Sequence, residues 1–274
     1  MWEYGDPRVL ADLAQLAEES GWDGFFIWDH VLFDVTDPPD VCDPWIAMAA
    51  AAARTRRIRL GAMVTPVPRR RPWKLAREVA SLDLLSGGRV VFGAGLGAPV
   101  DAEFDAYGED SDPLVRRGKL DEGLELLRLF WSGEPVSFAG RHFQVDGATF
   151  RPTPLQEHMP IWVAGNWPNR RPFQRAARMD GVMPERGGGE LCTPADLREV
   201  LAFIAAERER QGIAADRPYD VLAAGYTDHA SPAAPETVAE YEEAGATWWI
   251  ERFHAGRGPL EWTRERVREG PPRG

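Results

Sequence analysis

The sequence predicts an α/β fold with a parallel sheet, and three observations carry this prediction. Short apolar runs alternate with amphipathic helical segments along most of the 274 residues. Several runs are apolar on both faces, which is typical of parallel strands that helices cover on each side. No linker rich in glycine, proline or serine divides the chain. Because few of the runs resemble polar edge strands, we predict a closed (β/α)8-type barrel and a single domain over residues 1–274.

In the first half of the chain, helix signals and apolar runs follow one another in order. Asp6 and Asp43 are cap residues, and each is followed by a proline that suits a first helical turn. Gly87-Gly88 ends a helix that carries a stripe of leucines. The predicted helices are 7–20, 44–53, 72–86 and 116–131, and the predicted strands are 22–28, 58–65 and 89–93.

The segment 132–157 interrupts this alternation. Two short apolar runs flank Ala139-Gly140 there and predict a small inserted hairpin. The alternation then resumes and ends in a proline- and glycine-rich tail, 269–274. The predicted strands of this half are 160–164, 181–183, 219–226 and 247–251, and its helices are 172–178, 194–211, 235–244 and 260–268. A barrel of this kind has eight strands, and because the chain opens on a helix we expect its first strand to be missing.

Composition and charge exclude several classes of protein. The 44% of hydrophobic and 27% of charged residues are ordinary for a folded globular protein. The net charge of −11 argues against a general nucleic-acid binder, which needs a basic face. The longest apolar stretch, 45–53, is much shorter than a membrane span, and Cys42 and Cys192 are too far apart in the chain to indicate a disulfide framework. We therefore expect a cytoplasmic protein without nucleic-acid or membrane partners.

The pair Asp29-His30 directly follows the first apolar run. In parallel sheets the chemistry gathers at the carboxyl ends of the strands, so this pair is a candidate for catalysis. A histidine there can accept or donate a proton near neutral pH, and the adjacent aspartate can bind a ligand or the backbone. The alternative is a histidine that only bonds a loop carbonyl. We expect no metal site, because five histidines without paired spacing do not supply a ligand set.

Two glycine segments at strand ends are candidate ligand contacts. The segment 93–98 (GAGLGA) matches a dinucleotide-binding fingerprint, but Pro99 follows where an apolar helix should begin. We therefore favour the interpretation that these glycines let a ligand approach the backbone. The segment 165–172 (GNWPNRRP) joins a strand to a helix, and its free amides and arginines suit a phosphate. A simple turn with an asparagine cap is the alternative.

The roles of an arginine cluster and of several tryptophans can each be interpreted in two ways. Arg69-Arg70-Arg71 precedes a helix start, where cations are unfavourable, so this cluster either binds an anionic partner or is ordinary solvated surface. Two tryptophans on helix stripes are predicted core residues, namely Trp73 and Trp131. Three tryptophans near strand ends are candidate walls for a planar aromatic ligand, namely Trp28, Trp45 and Trp167.

Five segments in chain order carry a resemblance to a known family. They are 21–30 (GWDGFFIWDH), 57–61 (RIRLG), 66–78 (PVPRRRPWKLARE), 82–89 (LDLLSGGR) and 164–170 (AGNWPNR). Together they resemble the bacterial luciferase-like monooxygenases, which are flavin- or deazaflavin-dependent oxidoreductases. The resemblance extends over nearly the whole chain. It implies a TIM barrel with a dissociable cofactor, FMN or the deazaflavin F420, at the carboxyl ends of the strands.

The resemblance also implies roles for individual residues. His30 is implied as the catalytic proton donor or acceptor at the cofactor ring. Met63, Val64 and Thr65 are implied at a bulged third strand behind the ring, and Gly165 and Asn166 are implied at the phosphate. The residues expected to bind the cofactor are Asp29, Met63, Val64, Thr65, Gly95, Gly165, Asn166, Trp167 and Arg170. Deazaflavin-dependent sugar-phosphate dehydrogenases of the family carry a glutamate where this chain has Gly95-Leu96-Gly97, so we do not expect that activity.

Two mechanisms follow from the resemblance. With FMN, a separate reductase supplies reduced flavin, which reacts with oxygen as in a monooxygenase. With F420, a hydride passes between the deazaflavin and a small organic substrate while His30 manages the proton. The Asp29-His30 pair, and an arginine cluster that suits an acidic polyglutamyl tail, slightly favour F420. The alternatives are a truncated, inactive flavin-binding barrel and a metal-dependent hydrolase on the same barrel, and a homodimer is left open.

Overall fold

The computed structural model describes residues 3–214, 216–227 and 234–272. These residues divide into two compact units, one that ends at Met159 and one that begins at Pro160. Within the predicted tail 269–274, residues 273 and 274 lie outside the described residues. The predictions of a single domain and of a missing first strand stay predictions.

Helices and strands alternate in the first unit, as predicted. The cap at Asp6 accepts a hydrogen bond from the amide of Arg8, and the cap at Asp43 accepts one from Ile46. The fifth helix begins three residues before the predicted start, because Asp112 caps it. The strands are β1 (Gly24–Ile27), β2 (Arg59–Ala62), β3 (Thr65–Pro66) and β4 (Phe92–Gly95), and the helices are α1 (Pro7–Glu19), α2 (Pro44–Arg54), α3 (Pro72–Ser86), α4 (Val100–Glu103) and α5 (Pro113–Trp131).

The strands of the first unit run parallel to one another. β1 pairs with β2, β3 pairs with β4, and Leu60 of β2 forms a parallel bridge with Val90. The predicted strand 58–65 is broken into two pieces at Met63 and Val64, whose peptide bond is cis. This break falls at the residues where the family resemblance implies a bulge.

Close packing explains three glycines on these strands. A Cβ on Gly61 would lie 2.3 Å from the carbonyl oxygen of Val91, and one on Gly93 would lie 2.1 Å from that of Ala62. A Cβ on Gly95 would lie 2.3 Å from Cγ2 of Val64. The glycines of the 93–98 segment are therefore needed first for contacts within the chain. The long apolar helix of a dinucleotide-binding fold is also absent here, since α4 has only four residues.

The predicted insertion is a hairpin, as expected. β5 (Pro135–Ala139) and β6 (Gln144–Thr149) pair in antiparallel fashion. The carboxylate of Glu122 on α5 accepts hydrogen bonds from the backbone amides of Arg141, His142 and Phe143, which lie in the turn and at its end. One acidic side chain thereby fastens the hairpin to the helix that precedes it.

The second unit contains four parallel strands with helices between them. β7 pairs with β8, β8 with β9, and β9 with β10. β7 extends three residues beyond its predicted end, and α6 begins two residues before its predicted start because Asn169 caps it. The strands are β7 (Ile161–Trp167), β8 (Gly181–Arg186), β9 (Asp220–Gly225) and β10 (Trp248–Glu251), and the helices are α6 (Arg170–Ala176), α7 (Pro194–Arg210), α8 (Ala234–Glu243) and α9 (Leu260–Arg268). None of the helices in the described part of the chain has the length and apolar character needed to cross a membrane.

Candidate active site

Loops that follow the strands of the first unit bring four charged side chains together. Asp29 follows β1, Arg69 and Arg70 follow β3, and Glu103 ends α4. One oxygen of Asp29, Oδ1, lies 2.6 Å from Nη2 of Arg69 and 2.7 Å from Nη2 of Arg70. The other guanidinium nitrogen of Arg69, Nη1, forms an ion pair with Oε2 of Glu103. We refer to these four residues as the charge cluster.

The charge cluster is buried, and its charges balance. The carboxylates of Asp29 and Glu103 have no exposed surface, and only 7% of the Arg69 side chain is exposed. Charges at such depth are tolerated only when they are paired, because an unpaired buried ion loses its hydration without compensation. The solvated-surface interpretation is therefore wrong for Arg69, whereas anion binding by the arginine segment stays a prediction. Arg71 is exposed and precedes α3 without capping it.

The charge cluster fixes the orientation and the tautomer of His30. Its Nδ1 lies 3.0 Å from Oε1 of Glu103. That same oxygen accepts hydrogen bonds from the backbone amides of Val31 and Leu32. A carboxylate oxygen in this position accepts, so Nδ1 of the neutral ring carries the hydrogen and Nε2 keeps a free lone pair. The alternative in which His30 only bonds a loop carbonyl is therefore wrong.

His30 is held neutral near pH 7. Burial of the ring lowers the pKa of His30 below its ordinary value, and the positive charge of Arg69 lowers it further. The negative charge of Asp29 opposes these two effects without reversing them. A neutral imidazole with a free Nε2 is a proton acceptor, which is the role that the strand-end position suggests.

The break between β2 and β3 lies beside the end of β1. The amide of Met63 donates a hydrogen bond of 2.8 Å to the carbonyl oxygen of Ile27. Val64 is partly exposed and lies against Gly95, whereas Thr65 is fully buried. The hydroxyl oxygen of Thr65 has no hydrogen-bond partner among the described residues. The structure thus places four of the predicted cofactor residues next to one another, and their role as cofactor ligands stays a prediction.

The other predicted cofactor residues lie at the end of β7 in the second unit. A Cβ on Gly165 would lie 2.4 Å from Cβ of Pro172, so this glycine is required for the packing of α6. Asn166 is exposed. The indole of Trp167 donates to Oε2 of Glu199 on α7, and the guanidinium of Arg170 lies over a ring on the same helix. These contacts account for the side chains of Trp167 and Arg170, and a phosphate site at this position stays a prediction.

The tryptophans separate into core and surface residues. Trp45 is buried and stacks on Phe92, so it is not free to wall a ligand. Trp73, predicted to be core, is 40% exposed. Trp131 packs edge-on against Phe92 and donates from its indole to the carbonyl oxygen of Ala76. Of the three proposed wall residues, Trp28 alone is both largely exposed and beside His30.

Sequence reasoning did not find Glu103. It lies in a polar stretch with several other acidic residues, and no local pattern marks it as the one that becomes buried. The weak signal is its position next to the fully buried Phe104, over which the guanidinium of Arg116 lies. No group of three or more His, Cys, Asp or Glu residues in the described ranges is arranged to hold a metal ion.

The histidine and the buried charge cluster follow the carboxyl ends of parallel strands, where α/β enzymes place their active sites. A neutral histidine at this position is typical of a general base. The chain belongs to the luciferase-like monooxygenase family, whose model matches residues 3–270. It is 32% identical to the F420-dependent glucose-6-phosphate dehydrogenase of Nocardia farcinica, over 94% of this chain and 76% of that protein. It is 30% identical to an uncharacterised protein of Mycobacterium tuberculosis, over 86% of this chain and 84% of that protein.

Solved structures share the fold of this chain. A monooxygenase from Streptomyces bottropensis superposes with a TM-score of 0.76 at 23% identity and covers 96% of this chain and 90% of its own. The coenzyme F420-dependent tetrahydromethanopterin reductase of Methanopyrus kandleri has the same TM-score at 20% identity, with 96% and 93% covered. These likenesses confirm the predicted fold class, the TIM-type barrel of luciferase-like proteins. The predicted oxidoreductase class is confirmed at the level of the family.

Proposed function

We propose that this protein uses dissociable F420 to oxidise or reduce a small organic substrate, with His30 as the group that takes up or returns the substrate proton. The observation that carries the proposal is the fixed tautomer of His30. Glu103 holds the hydrogen on Nδ1, so the ring presents an unprotonated Nε2 at neutral pH. A built-in proton acceptor is what the two-electron oxidation of an alcohol requires.

The residues present fit a flat, uncharged ring system. Because Gly95 has no side chain, the partly exposed apolar side chain of Val64 packs against the backbone of β4. The carboxylates beside His30 are already satisfied by arginines, so they do not repel or attract a neutral ring. Val64 and Gly95 would hold the ring of the cofactor. When bound, F420 supplies a carbon centre that accepts or returns a hydride.

The chain's own residues then have distinct tasks. Nε2 of His30 takes the hydroxyl proton of the substrate during oxidation and returns it during reduction. Glu103 keeps the ring in the required tautomer, and Arg69 holds Glu103 in place and disfavours the protonated ring. Because the cofactor is expected to dissociate after turnover, its conversion back falls to a separate F420 or flavin reductase.

Two lines of support favour F420 over FMN. Relatives that are about one third identical to this chain carry the name F420-dependent glucose-6-phosphate dehydrogenase. The neutral state of His30 is the second line of support. Oxidation of an alcohol needs a base that takes the substrate's hydroxyl proton, and a monooxygenase that uses oxygen has less need of such a base. Arg69 and Arg70 do not add to this support, because both are paired with Asp29 inside the charge cluster.

The test is a titration of the protein with F420 and with FMN, each oxidised and reduced, followed by fluorescence. We expect F420 to bind at micromolar concentration and FMN to bind much more weakly. Binding of FMN alone would replace the proposal with the flavin mechanism. Failure of both cofactors to bind below about millimolar concentration would overturn an F420- or flavin-dependent activity.

The proton role of His30 is tested by His30→Gln. We expect a loss of about 100-fold or more in turnover with little change in cofactor affinity, since general bases contribute about 10² to 10⁴. His142→Gln is the matched control, because His142 lies in the hairpin. Equal effects of both variants would contradict the assignment. Gly165→Val is a poor probe of the phosphate site, because the added side chain would displace Pro172.

A further inference from the structure

Trp28 and Phe33 form a stacked aromatic pair beside His30. Their ring centroids are 6.0 Å apart, and the ring planes differ by 15°. The ring of His30 meets both edge-on, with centroids 5.9 Å from Trp28 and 5.0 Å from Phe33. We refer to Trp28 and Phe33 as the aromatic pair.

The aromatic pair is far more exposed than large aromatic residues usually are. Trp28 is 50% exposed and Phe33 is 42% exposed, although each is large enough to fill a core position. Exposed aromatic surface that adjoins a polar reactive group is typical of a ligand site, whereas aromatic residues that serve stability become buried. The pair therefore offers apolar surface directly next to His30, which the charge cluster holds as a proton acceptor.

The charges around His30 do not suit an anionic substrate. A phosphate needs a cation that is free to pair with it. Arg69 and Arg70 are both bonded to Asp29, and Arg69 is also bonded to Glu103. An anion placed beside them would meet two carboxylates without gaining a partner. The charge cluster therefore disfavours a phosphorylated substrate at the position of His30.

We propose that the substrate that reacts at His30 is an uncharged alcohol with an aromatic or alicyclic group, which packs against the aromatic pair. This inference rests on the proposed function and specifies its substrate class. In the oxidation, the carbinol C–H bond breaks and its hydride goes to oxidised F420. The hydroxyl proton goes to Nε2 of His30, and the carbon–oxygen double bond of a ketone or aldehyde forms. The reverse reaction consumes reduced F420 and the same proton.

The first test measures substrate binding without cofactor. Saturation-transfer NMR on the protein as purified would compare 1-phenylethanol with glucose 6-phosphate as probes. We expect 1-phenylethanol to bind and glucose 6-phosphate to give no signal. Trp28→Ala and Phe33→Ala should each weaken binding of 1-phenylethanol about tenfold, in line with the loss of an aromatic contact. Val41→Ala is the matched control, because Val41 is an exposed apolar residue of the same loop and is not part of the aromatic pair.

The second test separates this inference from the proposed function. With F420 present, Trp28→Ala and Phe33→Ala should raise KM for the alcohol about tenfold and leave the Kd of F420 unchanged. If the two variants instead weaken F420 as strongly as the alcohol, the aromatic pair belongs to the cofactor site and the inference is wrong. A lower KM for glucose 6-phosphate than for the alcohol would also overturn it. Failure of F420 to bind the unaltered protein would defeat the proposed function, while the NMR result would still decide which probe the aromatic pair binds.

Discussion

Glu103 connects the stability of the site with its chemistry. One of its oxygens fixes the tautomer of His30, and the other pairs with Arg69. The pair Asp29-His30 could be found in the sequence because it directly follows an apolar run. Its two partners could not, since they come from 40 and 73 residues farther along the chain and only the fold brings them together.

The first prediction concerns the pH dependence of turnover. His30 must be neutral to accept a proton, so kcat/KM for oxidation should fall as the pH falls through the pKa of His30, which lies below its ordinary value of 6.5. Glu103→Gln keeps an acceptor for Nδ1 but removes the negative charge that favours the protonated ring. The pKa of His30 should therefore fall further, and the acidic limb of the pH profile should move to lower pH.

Kinetics between about pH 4.5 and 8 would measure this shift. Glu109→Gln is the control, because the side chain of Glu109 is part of no charge cluster contact and lies 3.8 Å from Nζ of Lys119. A limb that moves to higher pH in Glu103→Gln would show that Glu103 does not act on His30 in this way.

The second prediction concerns the buried carboxylate of Asp29. Asp29→Asn leaves two buried guanidinium groups without their shared counter-charge, so unfolding should become easier by about 3–5 kcal/mol. Urea unfolding would measure the change, and Asp37→Asn on the exposed part of the same loop should stay within about 0.5 kcal/mol. Equal stability of the two variants would mean that the charge cluster contributes little to the folded state.

Helices and strands could be predicted best where a cap residue or a turn residue marks their end in the sequence itself. The starts of α1, α2 and α7 are each marked by a cap residue followed by proline, and the structure places them there. The break between β2 and β3 was different. Apart from Arg59 and Thr65 the run 58–65 is apolar, so its pattern is that of one strand, and nothing local shows that the pairing partner changes at Met63.

The third prediction tests one of these caps. At the start of α7, Thr193 and Asp196 form a capping box, and Asp196 also bonds Arg186. Thr193→Ala should cost about 1 kcal/mol of unfolding free energy. Arg71→Ala is the control, because Arg71 precedes α3 without a side-chain cap bond and its loss should change stability by less than about 0.5 kcal/mol.

The stabilisation that this capping box provides depends on pH, because Asp196 must be ionised. The hydrogen bond from Arg186 and those from Thr193 lower the pKa of Asp196 to about 2, against the effect of burial. The stabilisation is thus fully present above the ordinary pKa of 3.8 and is lost as the pH falls toward 2. The difference in stability between Thr193→Ala and the unaltered protein should shrink over this range, and a constant difference would contradict the coupling.

At the scale of the whole molecule, the alternation of elements was enough to predict the fold class. Helices and strands have different hydrophobic periods, and segments of the two kinds alternate along the chain. Many weak predictions therefore agree on the same fold class, and an error in one element boundary does not change it. The residues at the end of β7 show where this reasoning stops. The sequence predicts Gly165 at a ligand, and this stays a prediction, because the contact with Pro172 is enough to explain the missing side chain.

The fourth prediction uses cofactor binding as a measure of the whole fold. A ligand at 100 times its Kd stabilises the folded protein by about 2.7 kcal/mol. For a chain of this size this corresponds to a rise in Tm of about 5–10 °C. Differential scanning fluorimetry with F420 and with FMN would measure it, and a rise with FMN alone would point to the flavin mechanism.

The enclosed arginines also affect how fast a charged cofactor arrives. The chain carries a net charge of −11, and Arg69 and Arg70 project no unpaired positive charge from the site. An anionic cofactor is therefore repelled over long range and meets no local attraction at the charge cluster. Added salt screens such repulsion, so the association rate should increase with ionic strength, which is the reverse of electrostatic steering.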